Sequence, residues 1–340
     1  MKTRKRLILF ALCLAMVCTM VGCGKLENRK KIIRIASPNS TTHPDHIALL
    51  AFKDYVESRL GDKYEVEIYP NELLGSSQRA IELVQTGAVE YVVCLTSILE
   101  SFDDTYQIFS LPYVFDSMEG FKAVMDNEEL MEPIYESTEA AGIRAVTYYN
   151  AGVRNIYTAD KLIEKPEDLK GLKIRVQQSA ANVEMMNRMG GAGVPMSYGE
   201  IYTGMQQGVI DGAENSELVL VNMKHGEVAK YYSYTEHQYT PDMLVANVKF
   251  LENLSPEERE VFDEAAKIST EVELEEWDKQ IAEAKEQAEE MGVTFVEVDT
   301  EPFRERVQPM VDRILKENPK LQSVYDEIQE IQNNLEEKNE

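Results

Sequence analysis

Regular patterning begins at IIRIA (Ile32–Ala36), whose apolar residues read as a strand. From Asp45 to Leu60 the apolar positions Ile47, Leu50, Val56 and Leu60 keep roughly helical spacing, and Gly61 supplies a stop. YEVEIYP then sets Tyr64, Val66 and Ile68 against Glu65 and Glu67, the period of two of a strand, closed by Pro70. Strand, helix and strand within about 40 residues make a βαβ unit of an open α/β sheet. The pattern returns with a helix over Ser76–Thr86, stopped by Gly87, and the apolar run YVVCL. IRAVTYY, LKIRV and MLVANVKF supply further strands.

The clearest local signal lies later. Ser255-Pro256-Glu257-Glu258 is a capping box with proline at the first helical position. The helix it opens is predicted to run to Met291, with Gly292 as its stop. Leu274, Trp277, Ile281, Ala284, Ala288 and Met291 form one apolar stripe along it. At 1.5 Å per residue, about 36 residues span roughly 54 Å, more than one small domain is wide, so this helix should lie across two lobes. VTFVEV follows as a strand, and the tail from Pro319 reads as a charged helix.

Composition sets the compartment. Lys2, Arg4, Lys5 and Arg6 precede the apolar run LILFALCLAMV, which is a secretory signal too short to span a membrane stably. Gly22–Cys23, with Met20 and Val21 ahead, looks like a lipobox, in which the cysteine is acylated and becomes the new N-terminus. KLENRKK then reads as a polar tether. Removing residues 1–22 takes away four cations and no acids, moving the formal charge from −25 to −29. Of the four cysteines, Cys13 and Cys18 leave with the signal and Cys23 is acylated. Cys94 then stays alone and no intrachain disulfide is expected. Such acidity excludes a nucleic-acid footprint. It does not exclude an anionic ligand, because exposed charges are screened beyond about 10 Å at 0.1 M salt.

Enzyme constellations are missing: there is no glycine-rich phosphate loop and no G-x-S-x-G elbow. His43 and His46 make one close histidine pair, but Pro44 between them keeps them off a shared helix face, so no metal site is expected. Cys94 in an apolar strand reads as a small buried hydrophobe. Tyr198, Tyr202, Met185, Met186, Met189, Met196 and Met205 read as core or cleft lining. Two arginines stand near strands: Arg154 after one, Arg175 inside the next. A guanidinium fork matches a carboxylate bidentately. Taken singly, each reads as a strand-end cation reaching solvent or pairing with one of 60 acids, and Asn215 in DGAEN reads as a turn residue.

A wider resemblance changes that reading. The segments LLGSSQRAIELVQTGAVEYVV, FSLPYVF, GVRNIYT, PEDLKGLKIRV, PMSYGEIYTGMQQGVIDGAEN and LSPEEREVF, with His43–Pro44 ahead of them, span Ile32 to Glu297. In order and spacing they resemble the solute-binding proteins of TRAP (tripartite ATP-independent periplasmic) transporters. The resemblance implies an α/β, two-lobed periplasmic-binding-protein-like fold, type II-like, with crossing hinge strands and a long helix spanning both lobes. It implies lobes over 32–151 plus 241–275 and over 152–240 plus 276–340, after a signal peptide over 1–22 and a tether over 23–31.

By the same resemblance Arg175 of KIRV grips a ligand carboxylate, and Arg154 and Asn215 line the site. Thr96, Ser97, Gln78, Tyr198 and His43 join the ligand-binding set. Relatives commonly carry proline where this chain has Gln177-Gln178-Ser179, and Gln177 can hydrogen-bond a hydroxyl. Gly193 and Ser216 also stand where proline is usual. The expected function is an extracytoplasmic, lipid-anchored, monomeric receptor that takes up an organic acid. A uronate or aldonate is favoured over a C4-dicarboxylate, sialic acid or keto acid. The receptor delivers it to TRAP-type permease subunits, with no cofactor and no catalysis. A ligand sensor for a receptor kinase and a secreted sugar-acid enzyme are the rival readings.

Overall fold

The computed structural model describes residues 30–339, so the signal peptide, Cys23 and the tether up to residue 29 lie outside the described residues. Among the described residues nine strands form one continuous sheet: β1 (Lys31–Ala36), β2 (Tyr64–Tyr69), β3 (Tyr91–Leu95), β4 (Ile143–Thr158), β5 (Lys173–Val176), β6 (Ala192–Pro195), β7 (Gly212–Asn215), β8 (Tyr231–Asn247) and β9 (Thr294–Glu297). Their order is β2-β1-β3-β8-β4-β7-β5-β6, with β9 on β8. The main helices are α1 (Pro44–Leu60), α2 (Ser77–Thr86), α3 (Met118–Met125), α4 (Glu128–Glu136), α5 (Ala180–Met189), α6 (Ile201–Gln206), α7 (Pro256–Glu290), α8 (Glu301–Glu317) and α9 (Pro319–Asn339). Among the described residues no helix is long and apolar enough to cross a membrane.

Two strands make the molecule two-lobed. β4 and β8 pair antiparallel from Ile143↔Asn247 to Thr158↔Tyr231, so both run from one lobe into the other. The first lobe gathers β1, β2 and β3 against residues 242–246 of β8. The second gathers β7, β5 and β6 against the far end of β4, and β9 against the start of β8. Register slips between Asn150 and Val153 mark the crossing. Gly152 there has φ +76°, and a Cβ on it would stand 2.5 Å from Trp277 Cζ2. Only glycine fits that backbone at that distance.

The long helix is built as its cap announces. The Ser255 side chain accepts from Glu258 N and the Glu258 side chain accepts from Ser255 N, and 35 residues follow. Its first turns bury Phe262, Ala265 and Ala266 with Phe52 and Tyr91 of the first lobe. Farther along, Trp277 and Ala284 meet Leu218, and Ala288 joins Tyr157 and Tyr232 in the second lobe. One exception on this apolar face is Glu273, which is fully buried.

Other local expectations need correction. On α1 the buried hydrophobic side chains are Ala48, Leu49, Phe52 and Val56, which share one helical face, whereas Leu50 is 43 % exposed. Arg154 does not follow a strand but sits within β4, which continues through NAGVRNIYT. DGAEN is not a turn: Gly212–Asn215 is β7, zipped onto β4 from Asn155↔Asn215 to Thr158↔Gly212. β8 starts twelve residues before MLVANVKF and stops at Asn247, where the Asn247 side chain caps a short helix, Val248–Glu252. These strands lack alternation because they are buried on both faces. Cys94 is a buried free thiol in β3. The last helix leaves α8 and packs on α3 and the 3-10 turn Asp104–Ser110.

Candidate functional site

Where the strands cross, the lobes enclose two adjoining cavities. One has a volume of about 480 Å³. The other has about 330 Å³, and Ser77, Leu95 and Tyr198 border both. Of the residues singled out in the sequence, Arg154, Asn215, His43 and Tyr198 line the larger cavity, and Arg175, Gln177, Ser97 and Tyr198 the smaller. Gln78 and Thr96 line neither: Thr96 is buried, and Ser77 takes the position at the cavity wall that Gln78 was expected to hold.

The two arginines differ in what they touch. Arg154 is 1 % exposed; its Nε is paired with the Glu214 carboxylate, and its Nη2 donates to the Glu214 carbonyl at 2.7 Å. Burial pushes Glu214 up, but the Arg154 charge and hydrogen bonds from His237 and Arg154 outweigh it and hold Glu214 at about 2. With its amide turned so that the oxygen faces Arg154, Gln177 accepts from Arg154 Nε at 3.0 Å. Arg154 is therefore neutralised by its own protein.

Arg175 is not. It is 3 % exposed, its Nε donates to the Met196 carbonyl at 2.9 Å, and its buried Nη1 has no partner. Burial, opposed by Glu214 and aided by Arg154, lowers its proton affinity. An arginine nonetheless stays charged in a protein. A buried guanidinium donor without an acceptor is unfavourable until an anion enters. Glu72 shares its cavity; its Oε1 is unpartnered, and its carboxylate accepts from the Gly199 backbone N–H. Burial raises Glu72, against the Gly199 hydrogen bond.

Around Arg154 the wall is amide, aromatic and acid. Asn215 Oδ1 takes the Ser216 N–H at 2.8 Å and Arg154 Nη1 at 3.5 Å. His43 caps α1, accepting from Asp45 N at 3.3 Å, and meets Trp277 edge to face at 5.9 Å. Asp242 of β8 completes this wall. His225, held by the Tyr157 hydroxyl at 2.8 Å, is pushed down to about 3 by burial and then by the Arg175 charge. Among the described residues no group of three or more His, Cys, Asp and Glu side chains has the arrangement to hold a metal ion.

Hydrogen bonds also bridge the lobes. Besides Glu72 to Gly199, Ser179 Oγ donates to Glu100 Oε2 at 2.8 Å while capping α5, and Gln280 Nε2 donates to the Thr42 carbonyl at 3.0 Å. Glu72, Asn39, Asp242 and Trp277 were missed as site residues. Trp277 read as core from its stripe, and the other three carry no local motif, since only the crossing of the lobes brings them to the cavities.

Comparison with known proteins agrees with this architecture. The family model described as bacterial extracellular solute-binding protein, family 7, matches residues 35–318. A TRAP periplasmic solute-binding protein from Anaerococcus prevotii, solved with bound α/β D-glucuronate, is 49 % identical with a TM-score of 0.89, covering 90 % of this chain and 99 % of that one. A second, from Chromohalobacter salexigens with bound D-glucuronate, is 31 % identical with a TM-score of 0.85, covering 88 % of this chain and 99 % of that one. Uncharacterized protein YiiZ of Salmonella typhimurium is 40 % identical over 303 residues, 89 % of this chain and 92 % of its own.

Proposed function

Since the chain belongs to bacterial extracellular solute-binding protein family 7, we propose that it is the receptor of a TRAP-type transporter for a sugar acid of the uronate or aldonate type. The observation that carries this is the unpartnered Nη1 of Arg175 at the wall of the cleft between the lobes, beside an Arg154 already held by Glu214. The ligand carboxylate docks on Arg175. Hydroxyls meet the amides and hydroxyls of Gln177, Ser97, Asn215 and Tyr198, which line the same space. The glucuronate in the 49 % identical relative supports this ligand class.

The lobes close about the crossing near Gly152, with residues 32–151 and 241–275 on one side and most of the remainder on the other. Acylation of Cys23 after removal of residues 1–22 holds the receptor at the outer face of the membrane, a reading supported by the basic and apolar run ahead of it. One chain supplies both walls of the cleft, which supports action as a monomer. A thermal-shift screen against organic and sugar acids tests the ligand class. A ligand at 100 times its Kd adds about 2.7 kcal/mol, so uronates or aldonates should raise the melting temperature, and a panel in which only non-carboxylate sugars do so would overturn the reading.

A further inference from the structure

The larger cavity ends in acid. Asp242, 5 % exposed, lines it, and its Oδ1 has no hydrogen-bond partner. Asp45 of α1 and Glu273 of α7 are fully buried; the Asp45 charge acts on both Asp242 and Glu273, and Asp242 acts on Glu273. Asn39 Nδ2 donates to Asp45 Oδ2 at 2.6 Å, His43 Nδ1 lies 3.2 Å from Asp45 Oδ1, and the Asn150 backbone N–H donates to Glu273 at 2.8 Å. Arg154 is the arginine facing this group, and Glu214 holds it; Asp278 adds a further negative charge toward Glu273. At the opposite end, in the smaller cavity, stands Arg175 with its unpartnered Nη1.

We propose that the site reads its ligand end to end, seating one carboxylate on Arg175 and a hydroxyl on Asp242, and so selects sugar acids with a single carboxylate over diacids of the same length. This rests on the sugar-acid reading above. An unpaired buried acceptor asks for a donor, and a sugar hydroxyl is one. A ligand carboxylate there sits in a desolvated pocket beside the Asp45 charge, which is how a site rejects a near-identical competitor. Burial first, and then the charge on Asp45, push Asp242 and Glu273 well above the ordinary carboxylate range. The cluster already suppresses negative charge, so a second ligand carboxylate needs a further proton to enter. Trp277, beside Asp242 in the cavity wall, gives the hydroxylated end an apolar face to lie on.

Calorimetry with D-glucuronate, D-gluconate and D-glucarate tests this on the wild-type chain, which requires no variant to fold. Like-charge juxtaposition should weaken the diacid D-glucarate by about 30-fold or more against the tighter monoacid. Asp242→Asn, which offers an amide donor where the raised Asp242 carboxyl presents an acceptor, should shrink the gap to roughly 5-fold or less. D-glucarate within a few-fold of the tighter monoacid, or a gap untouched in a folded Asp242→Asn protein, overturns the end-to-end assignment and leaves the sugar-acid reading standing. Absence of binding by all three acids, in a protein whose fold is intact by circular dichroism, overturns both.

Discussion

Arg154 and Glu214 are locked together: each is 1 % exposed, Arg154 Nε pairs with the Glu214 carboxylate, and Nη2 reaches the same residue's carbonyl at 2.7 Å. The pair joins β4 to β7 at the back of the cleft, so its first duty is to the fold. Arg154→Ala leaves Glu214 as a buried, uncompensated carboxylate, and the expected loss is about 3–5 kcal/mol in urea unfolding. Arg154→Met with Glu214→Leu should recover most of it, because both charges leave together. A double variant no more stable than Arg154→Ala would contradict the pairing.

The same pair sets an acid limb. Glu214 lies at about 2, below the ordinary carboxylate value of 4.5. A depressed carboxylate adds stability above its unfolded value and loses it as pH falls through the folded one. Stability should therefore drop between about pH 4.5 and 2, with a slope that Glu214→Gln removes.

Glu100 titrates in the opposite sense. Burial raises it to about 7, against hydrogen bonds from Ser110 and Ser179. The folded protein therefore holds this proton more tightly than the unfolded chain, so the contribution is full below about pH 4.5 and lost as pH rises through 7. Since Ser179 belongs to the second lobe and Glu100 follows β3 of the first, the loss falls on the contact between lobes. We predict that wild type loses up to about 3 kcal/mol relative to Glu100→Gln between pH 5 and 8. Parallel stability curves for the two proteins would count against it.

Trp277 is the single tryptophan of the chain, and it lines the larger cavity against His43 and Gly152. Ligand binding should change its emission, and Trp277→Phe should abolish that signal while D-glucuronate still binds by calorimetry. Unchanged emission at saturating ligand would place the ligand elsewhere.

Gly152→Ala forces a side chain into a backbone with φ +76° and within 2.5 Å of Trp277. A destabilisation of about 1–3 kcal/mol is expected from the strain alone. Thermal unfolding that matched wild type would mean that the crossing relaxes freely.

The parts of this fold that were legible in the sequence are those determined by near neighbours. Ser255 and Glu258 cap one another three residues apart, and Gly87 ends its helix with φ 76°, so both ends could be read locally. β7 and the first half of β8 could not, because buried two-sided strands show no alternation and their partners lie far along the chain. In the site, the identities of Arg154, Arg175 and Asn215 came through family motifs rather than through any pattern of spacing. The division of labour between the arginines did not, since Glu214 is adjacent to Arg154 only through the β4–β7 register. Asp242 and Glu273 look like ordinary members of a chain with 60 acids until the fold buries them side by side.

Arg175 is the point on which the receptor reading turns, and calorimetric titration of D-glucuronate into wild type, Arg175→Lys and Arg175→Met measures it most directly. Methionine keeps much of the buried stem while removing the fork, so the empty protein should stay folded. Both variants should lose about 2–5 kcal/mol of binding free energy, as when one partner of a buried charge pair is removed. Affinity within a few-fold of wild type in both would contradict the assignment of Arg175 as the carboxylate anchor.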